Sequence, residues 1–225
     1  FMAYSSVKHK VLSLAAFGLF MGGAVPFLID SPESSFIGLF SYLFVLCAGT
    51  LWVVALTGWK GLNNLALGFV ALYSVVTITS PEFSQDPEKL TESLVAFAFA
   101  ILFFASTVAR IVKNKAAASA DLITAGGSAL LLLYWINETV AEEWKSLITA
   151  AVMLVFFVAA YTLFKKTGLK QTVYVYGGVA FLFLVAATRF ELQDNTLFIL
   201  AYTVEVALMM GGIMSLTADK KMLQH

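Results

Sequence analysis

The sequence predicts an all-α fold, a polytopic integral membrane bundle of eight transmembrane helices arranged as four hairpins. Three observations predict it. Of 225 residues, 60% are hydrophobic and 12% charged, where a soluble domain has roughly 45–50% apolar and about 25% charged residues. A compact domain of this length needs a large polar exterior, and so few charges cannot supply it. The apolar residues fall in runs that match the roughly 20 helical residues needed to cross a bilayer core of about 30 Å. Finally, the charges sit between the runs and alternate in sign from one connection to the next.

The eight runs are taken in order as one domain, 1–225. The first, 11–29, follows Lys8 and Lys10, holds Pro26 and is long enough to read as a signal-anchor helix. The second and third, 36–57 and 61–79, meet at Gly58-Trp59-Lys60. The fourth, 90–112, begins after an acidic stretch and ends in Lys113 and Lys115. The fifth and sixth, 120–137 and 146–164, are separated by Glu138, Glu142, Glu143 and Lys145. The seventh, 172–188, rises from Lys170, and the eighth, 195–216, starts after Asp194. No run has the two-residue alternation of a barrel strand, and a backbone in lipid must satisfy its polar groups internally, so helices are the remaining solution.

Orientation follows from the basic residues. Eleven of the fourteen lie at one set of ends, and only Lys89, Lys145 and Arg189 lie at the other. The acids divide the opposite way, with Glu82, Asp86, Glu88 and Glu92 in one acidic turn and Glu138, Glu142 and Glu143 in another. Eight crossings with both termini cytoplasmic are therefore expected. The four hairpins start near 11, 61, 120 and 172, and Leu39-Phe40-Ser41-Tyr42 sits after its turn much as Ile199-Leu200-Ala201-Tyr202 does. This spacing fits either a parallel duplication or short loops alone.

Polar chemistry is sparse. Both histidines, His9 and His225, are in basic ends, which leaves no axial ligand for an intramembrane haem. No lysine is placed for a retinal Schiff base, Cys47 is alone, and no cluster of metal-ligand type lies within a run. No cofactor and no metal are expected. Zero net charge gives no reason for a nucleic-acid partner. The acidic turns offer paired carboxylates for acid–base work or a divalent cation, but their plainer role is to solvate the membrane edge.

Glu205 is the one ionisable residue deep in a run, the eleventh residue of 22 in span 195–216, about 15 Å from either end at about 1.5 Å per residue. No cation lies at that depth, and desolvation without a counter-charge favours the neutral acid. It is expected to donate to a neighbouring helix, with Tyr73, Ser74, Ser106 and Ser128 at matching depth as candidates. Its role is interhelical glue, or alternatively a proton or cation relay. Helix packing is expected at small residues, Gly18 with Gly22 in the first run and Ala125 with Ala129 in the fifth. Trp59, Trp135, Trp144, Tyr4 and Phe190 lie near run ends, as interfacial anchors do.

Gly22-Gly23-Ala24-Val25-Pro26, then Leu39-Phe40-Ser41-Tyr42-Leu43 and Trp59, resemble a bacterial family of predicted membrane proteins, domain of unknown function 2339. Tyr202-Thr203-Val204-Glu205 resembles that family's Trp-Ala-x-Glu helix, with Tyr202 standing where the family has Trp. The resemblance implies a bacterial inner membrane protein of this topology, in a short or partial version of longer proteins, and no activity. Function is therefore expected to be that of a structural or accessory subunit, not an enzyme, with the lipid bilayer and other membrane chains as partners. The alternatives are a transporter or channel-like protein using Glu205, and an enzyme acting on a lipid-linked substrate at the outer face.

Overall fold

The computed structural model describes residues 11–28, 36–80, 89–192 and 196–208, and its regular structure there is entirely helical. Eight helices follow one another: α1 Leu12–Leu28, α2 Phe36–Thr57, α3 Gly61–Ile78, α4 Lys89–Asn114, α5 Ser119–Thr139, α6 Glu142–Thr167, α7 Lys170–Glu191 and α8 Thr196–Leu208. Six of them, α2 to α7, are long and apolar enough to cross a membrane, whereas α1 and α8 are shorter over their described residues. Eight crossings are not established by these lengths. Tyr4 and the acidic turn at Glu82, Asp86 and Glu88 lie outside the described residues.

The turns at the basic end are tight. Gly58 and Gly168 both take left-handed backbone, at φ 77° and 67°, where lack of a Cβ removes the steric cost. The Gly168 N–H closes the end of α6 on the Phe164 carbonyl at 2.8 Å. Lys115 takes the same region at φ 47°. These turns hold α2 against α3, α4 against α5 and α6 against α7, and the last pair is the most extensively packed among the described helices.

Helix neighbours thus differ from the hairpins expected from the sequence. The expected α3–α4 hairpin makes no close backbone approach among the described residues; ten residues, 79–88, lie between the two helices. The α5–α6 pair is joined by only Val140 and Ala141, but both are extended, at ψ 138° and 143°, so the helices splay. Cross-contacts tie the bundle together instead: α3 lies on α5, α1 on α3, α5 on α7 and α4 on α6.

Two aromatic clusters fill the interior. Phe40 and Phe99 meet edge-on at 6.2 Å, and Phe40 meets Trp135 at 5.5 Å. In the second cluster Phe156 stacks on Phe183 at 5.9 Å and meets Phe104 edge-on at 5.1 Å. Trp135 is a correction to the sequence reading. It is 2% exposed and donates from Nε1 to Ser74 Oγ at 3.0 Å, so it is a core residue. Buried indole needs a partner for its N–H, and Ser74 supplies one. Trp144 is exposed, while Trp59 and Phe190 are half-buried.

Candidate functional site

Polar side chains gather at four places, each built where helix ends or a helix irregularity leave groups to satisfy. The largest is an ionic node at the basic end. Asp121, in the first turn of α5, is fully buried and faces Arg110 Nη2 of α4 at 2.7 Å, with Lys60 Nζ before α3 at 3.8 Å. Its Oδ2 also accepts from the Ala118 N–H at 3.4 Å. That is half of a capping box, since Ala118 has no polar side chain to return the bond. The amino end of a helix favours the negative charge there.

Around this pair the remaining polar groups close up. With its carboxamide oxygen turned to the guanidinium, buried Asn63 accepts from Arg110 Nη1 at 2.7 Å and from Nη2. Thr124 donates to Asn64 Oδ1 at 2.6 Å. Tyr176 of α7 donates to Thr107 of α4 at 3.2 Å. Four helices, α3, α4, α5 and α7, are pinned within one turn or two of their basic ends. Sequence reading missed this node, counting Arg110 only among the basic residues of one set of ends and giving Asp121 no role. The signal was there: both charges fall inside predicted runs, 90–112 and 120–137, across one short turn.

The second place is the proline segment of α1. Pro26 has no N–H, so the Gly22 carbonyl four residues earlier loses its helical donor. Tyr42 of α2 donates its hydroxyl to that carbonyl at 2.7 Å, and Tyr73 of α3 donates to the Gly23 carbonyl at 2.7 Å. Such re-satisfaction by neighbouring helices is what lets proline sit in a helix in lipid. The glycines make room here for Leu46 and Phe69. A Cβ on Gly23 would sit 2.6 Å from the Phe69 ring, and one on Gly22 3.1 Å from Leu46 Cδ1. Of the expected packing residues, Gly22 lies against α2, Gly18 is half-buried, and Ala125 and Ala129 are each 1% exposed.

Third is Glu205, half-buried on α8. None of the four expected partners meets it. Tyr73 and Ser74 are engaged as described, and Ser106 and Ser128 donate back to the Phe103 and Ala125 carbonyls of their own helices. Glu205 Oε1 instead meets the Thr188 hydroxyl of α7. Thr188 is also 3.0 Å from the Leu184 carbonyl, and its single hydrogen can serve only one of the two oxygens. Thr188 lies three residues before the end of α7, about 4–5 Å, so Glu205 is tied nearer the acidic end than the mid-depth expected from its run. Helix α8 meets α7 there a second time, with the Arg189 guanidinium 5.6 Å from the Phe198 ring.

The fourth place is the acidic end of α4, α5 and α6. Lys145 is buried to 7% exposure, bonds Glu142 at 2.7 Å and lies 5.8 Å from the Phe190 ring. Glu92 is 2% exposed, so this carboxylate does not solvate the membrane edge as the sequence suggested. Ser93 and Thr139 share a hydroxyl bond at 2.8 Å. Among the described residues, no three His, Cys, Asp or Glu side chains are arranged to hold a metal.

A family model described as "Predicted membrane protein (DUF2339)" matches residues 1–222. No curated protein and no solved structure matches the chain.

Proposed function

The chain belongs to that family of predicted membrane proteins, and from this premise we propose that it is a structural, non-catalytic subunit of a bacterial plasma-membrane assembly. In this reading it crosses the membrane eight times with both termini in the cytoplasm. One observation carries the proposal: polar groups, most of them buried, tie helix to helix. Asp121 with Arg110 and Lys60, Tyr176 with Thr107, Trp135 with Ser74 and the two tyrosines on the α1 glycines all hold the bundle in register. Buried charges in membrane helices mark function by default, and here the function they serve is to fix a rigid surface. The basic ends carry Lys60, Arg110, Lys113, Lys165 and Lys166, which supports the cytoplasmic placement. Native mass spectrometry after mild extraction from its host membrane is expected to find the chain with at least one other membrane polypeptide. A monomer at every extraction condition would end the proposal.

A second reading, a proton or cation relay, rests on Glu205, whose Oε2 is buried without a hydrogen-bond partner among the described residues. The two readings separate on substitution. As glue, Glu205→Gln leaves thermal stability nearly unchanged, because the amide keeps a donor and an acceptor, and Glu205→Leu lowers it by about 1 kcal/mol. As a relay, Glu205→Gln keeps the fold and abolishes ion flux in proteoliposomes. The structural reading expects the first result.

A further inference from the structure

Cross-helix side-chain contacts divide the described helices into two groups. Within α1–α5, the Asp121 node joins α3, α4 and α5, Trp135 reaches Ser74, Ser93 meets Thr139, and Phe40 meets Phe99. Within α6–α8, α6 and α7 pack more extensively than any other described pair, Lys145 lies over the Phe190 ring, and Thr188 meets Glu205. Among the described residues, the side-chain hydrogen bond that links the two groups is Tyr176 to Thr107 at 3.2 Å. Phe104 adds ring contacts to Phe156 and Tyr176, at 5.1 and 6.1 Å. A crevice of about 220 Å³ lies on the same boundary, between Ile101 and Phe104 of α4 and Val155 and Phe156 of α6.

Such a boundary parts easily. Lipid is as apolar as the side chains facing each other across it, so no hydrophobic driving force holds the two groups together. The backbone passes from one group to the other at Val140 and Ala141, both extended, with ψ 138° and 143°. A few residues between elements are enough for a hinge to absorb a rotation. Lys166 lies 25 residues beyond Ala141 on α6, about 37 Å away at about 1.5 Å per residue, so a rotation of about 5° moves it about 3 Å. Tyr176 is well placed to oppose that rotation. It is fully buried, far along α7 from the joint, and stands beside the Arg110–Asp121 pair.

We propose that α6–α8 rocks as one body about Val140 and Ala141, and that Tyr176 on Thr107 is the catch that keeps it closed against α4 and over the Arg110–Asp121 pair. The motion is independent of the proposed assembly role, which needs only the ties within α1–α5, and it operates in an isolated chain.

The test is double electron–electron resonance between spin labels on the full chain, with Cys47→Ala removing the one native thiol. Lys113→Cys with Lys166→Cys spans the boundary at the basic end, and both positions are exposed. Lys113→Cys with Leu72→Cys reports within the first group, and Lys166→Cys with Leu182→Cys within the second, again from exposed positions. The expected result is one narrow distance for each internal pair and two distances for the spanning pair. Tyr176→Phe should raise the ratio of the longer to the shorter by about threefold, the effect of one interhelical hydrogen bond in lipid. Thr107→Val removes the same bond from the other side and guards against a misfolded Tyr176 variant, each being checked by its thermal transition. Ala141→Pro should remove the longer distance, because Ala141 already holds φ at −62°, where proline stiffens the joint without strain. A spanning distance as single and narrow as the internal ones, in the native chain and in both catch variants, overturns the proposal. So does a longer distance that persists unchanged in a folded Ala141→Pro variant.

Discussion

Asp121→Ala is expected to destabilise the bundle by about 3–5 kcal/mol, the range for leaving one partner of a buried ion pair behind. Asp121 is fully buried, and the Arg110 side chain is 13% exposed with its guanidinium 2.7 Å from the carboxylate. Removing the acid leaves Arg110 and Lys60 facing each other across a site with no anion among their described partners. The cost arises from that stranded charge and not from the loss of a strong attraction. The joint replacement Arg110→Met with Asp121→Leu should therefore recover most of the loss, since well-packed apolar replacements of buried pairs are often neutral. Denaturation in detergent of the two single variants and the double variant gives the coupling directly. A loss below about 1 kcal/mol for Asp121→Ala would show that water reaches the pair.

The second large effect is expected at the glycines before the α1 proline. Gly23→Val should cost about 2–3 kcal/mol, because overpacking a filled interior costs about 1–3 kcal/mol and the added Cβ alone would sit 2.6 Å from the Phe69 ring. Phe69 is 9% exposed and has little room to yield. The same change also pushes the Gly23 carbonyl away from the Tyr73 hydroxyl, now 2.7 Å from it. Gly49→Val is the internal control, since a Cβ there has no atom within 4 Å and should cost little. Comparable losses at Gly23 and Gly49 would mean that helix propensity, not the close approach of α1 and α3, sets the value.

The Tyr42 hydrogen bond also joins the two stretches through which the chain resembles its family. Gly22-Gly23-Ala24-Val25-Pro26 and the run ending in Tyr42-Leu43 are thirteen or more residues apart in sequence, yet the Tyr42 hydroxyl caps the carbonyl that Pro26 leaves open. A motif that looked like composition is a hydrogen-bonding device. The proline and the tyrosine could each be read alone, but their pairing depended on how α1 lies against α2.

The sequence by itself determined the class and the helices. Runs 36–57 and 61–79 became Phe36–Thr57 and Gly61–Ile78, because a long apolar run in lipid has one way to satisfy its backbone. Only the tertiary structure decided which helices touch, which side of each is inside, and which polar groups meet. Lipid is as apolar as a protein interior, so these helices are hydrophobic all round and carry little periodic signal of a buried face. Trp135 therefore read as an interfacial anchor and proved to be core, and Glu205 was matched to hydroxyls by depth when its partner is Thr188. Asp121 and Arg110 found each other across a turn whose left-handed Lys115 brings the ends of α4 and α5 together. Depth along a helix is written in the sequence, but rotation about its axis is fixed by packing against neighbours.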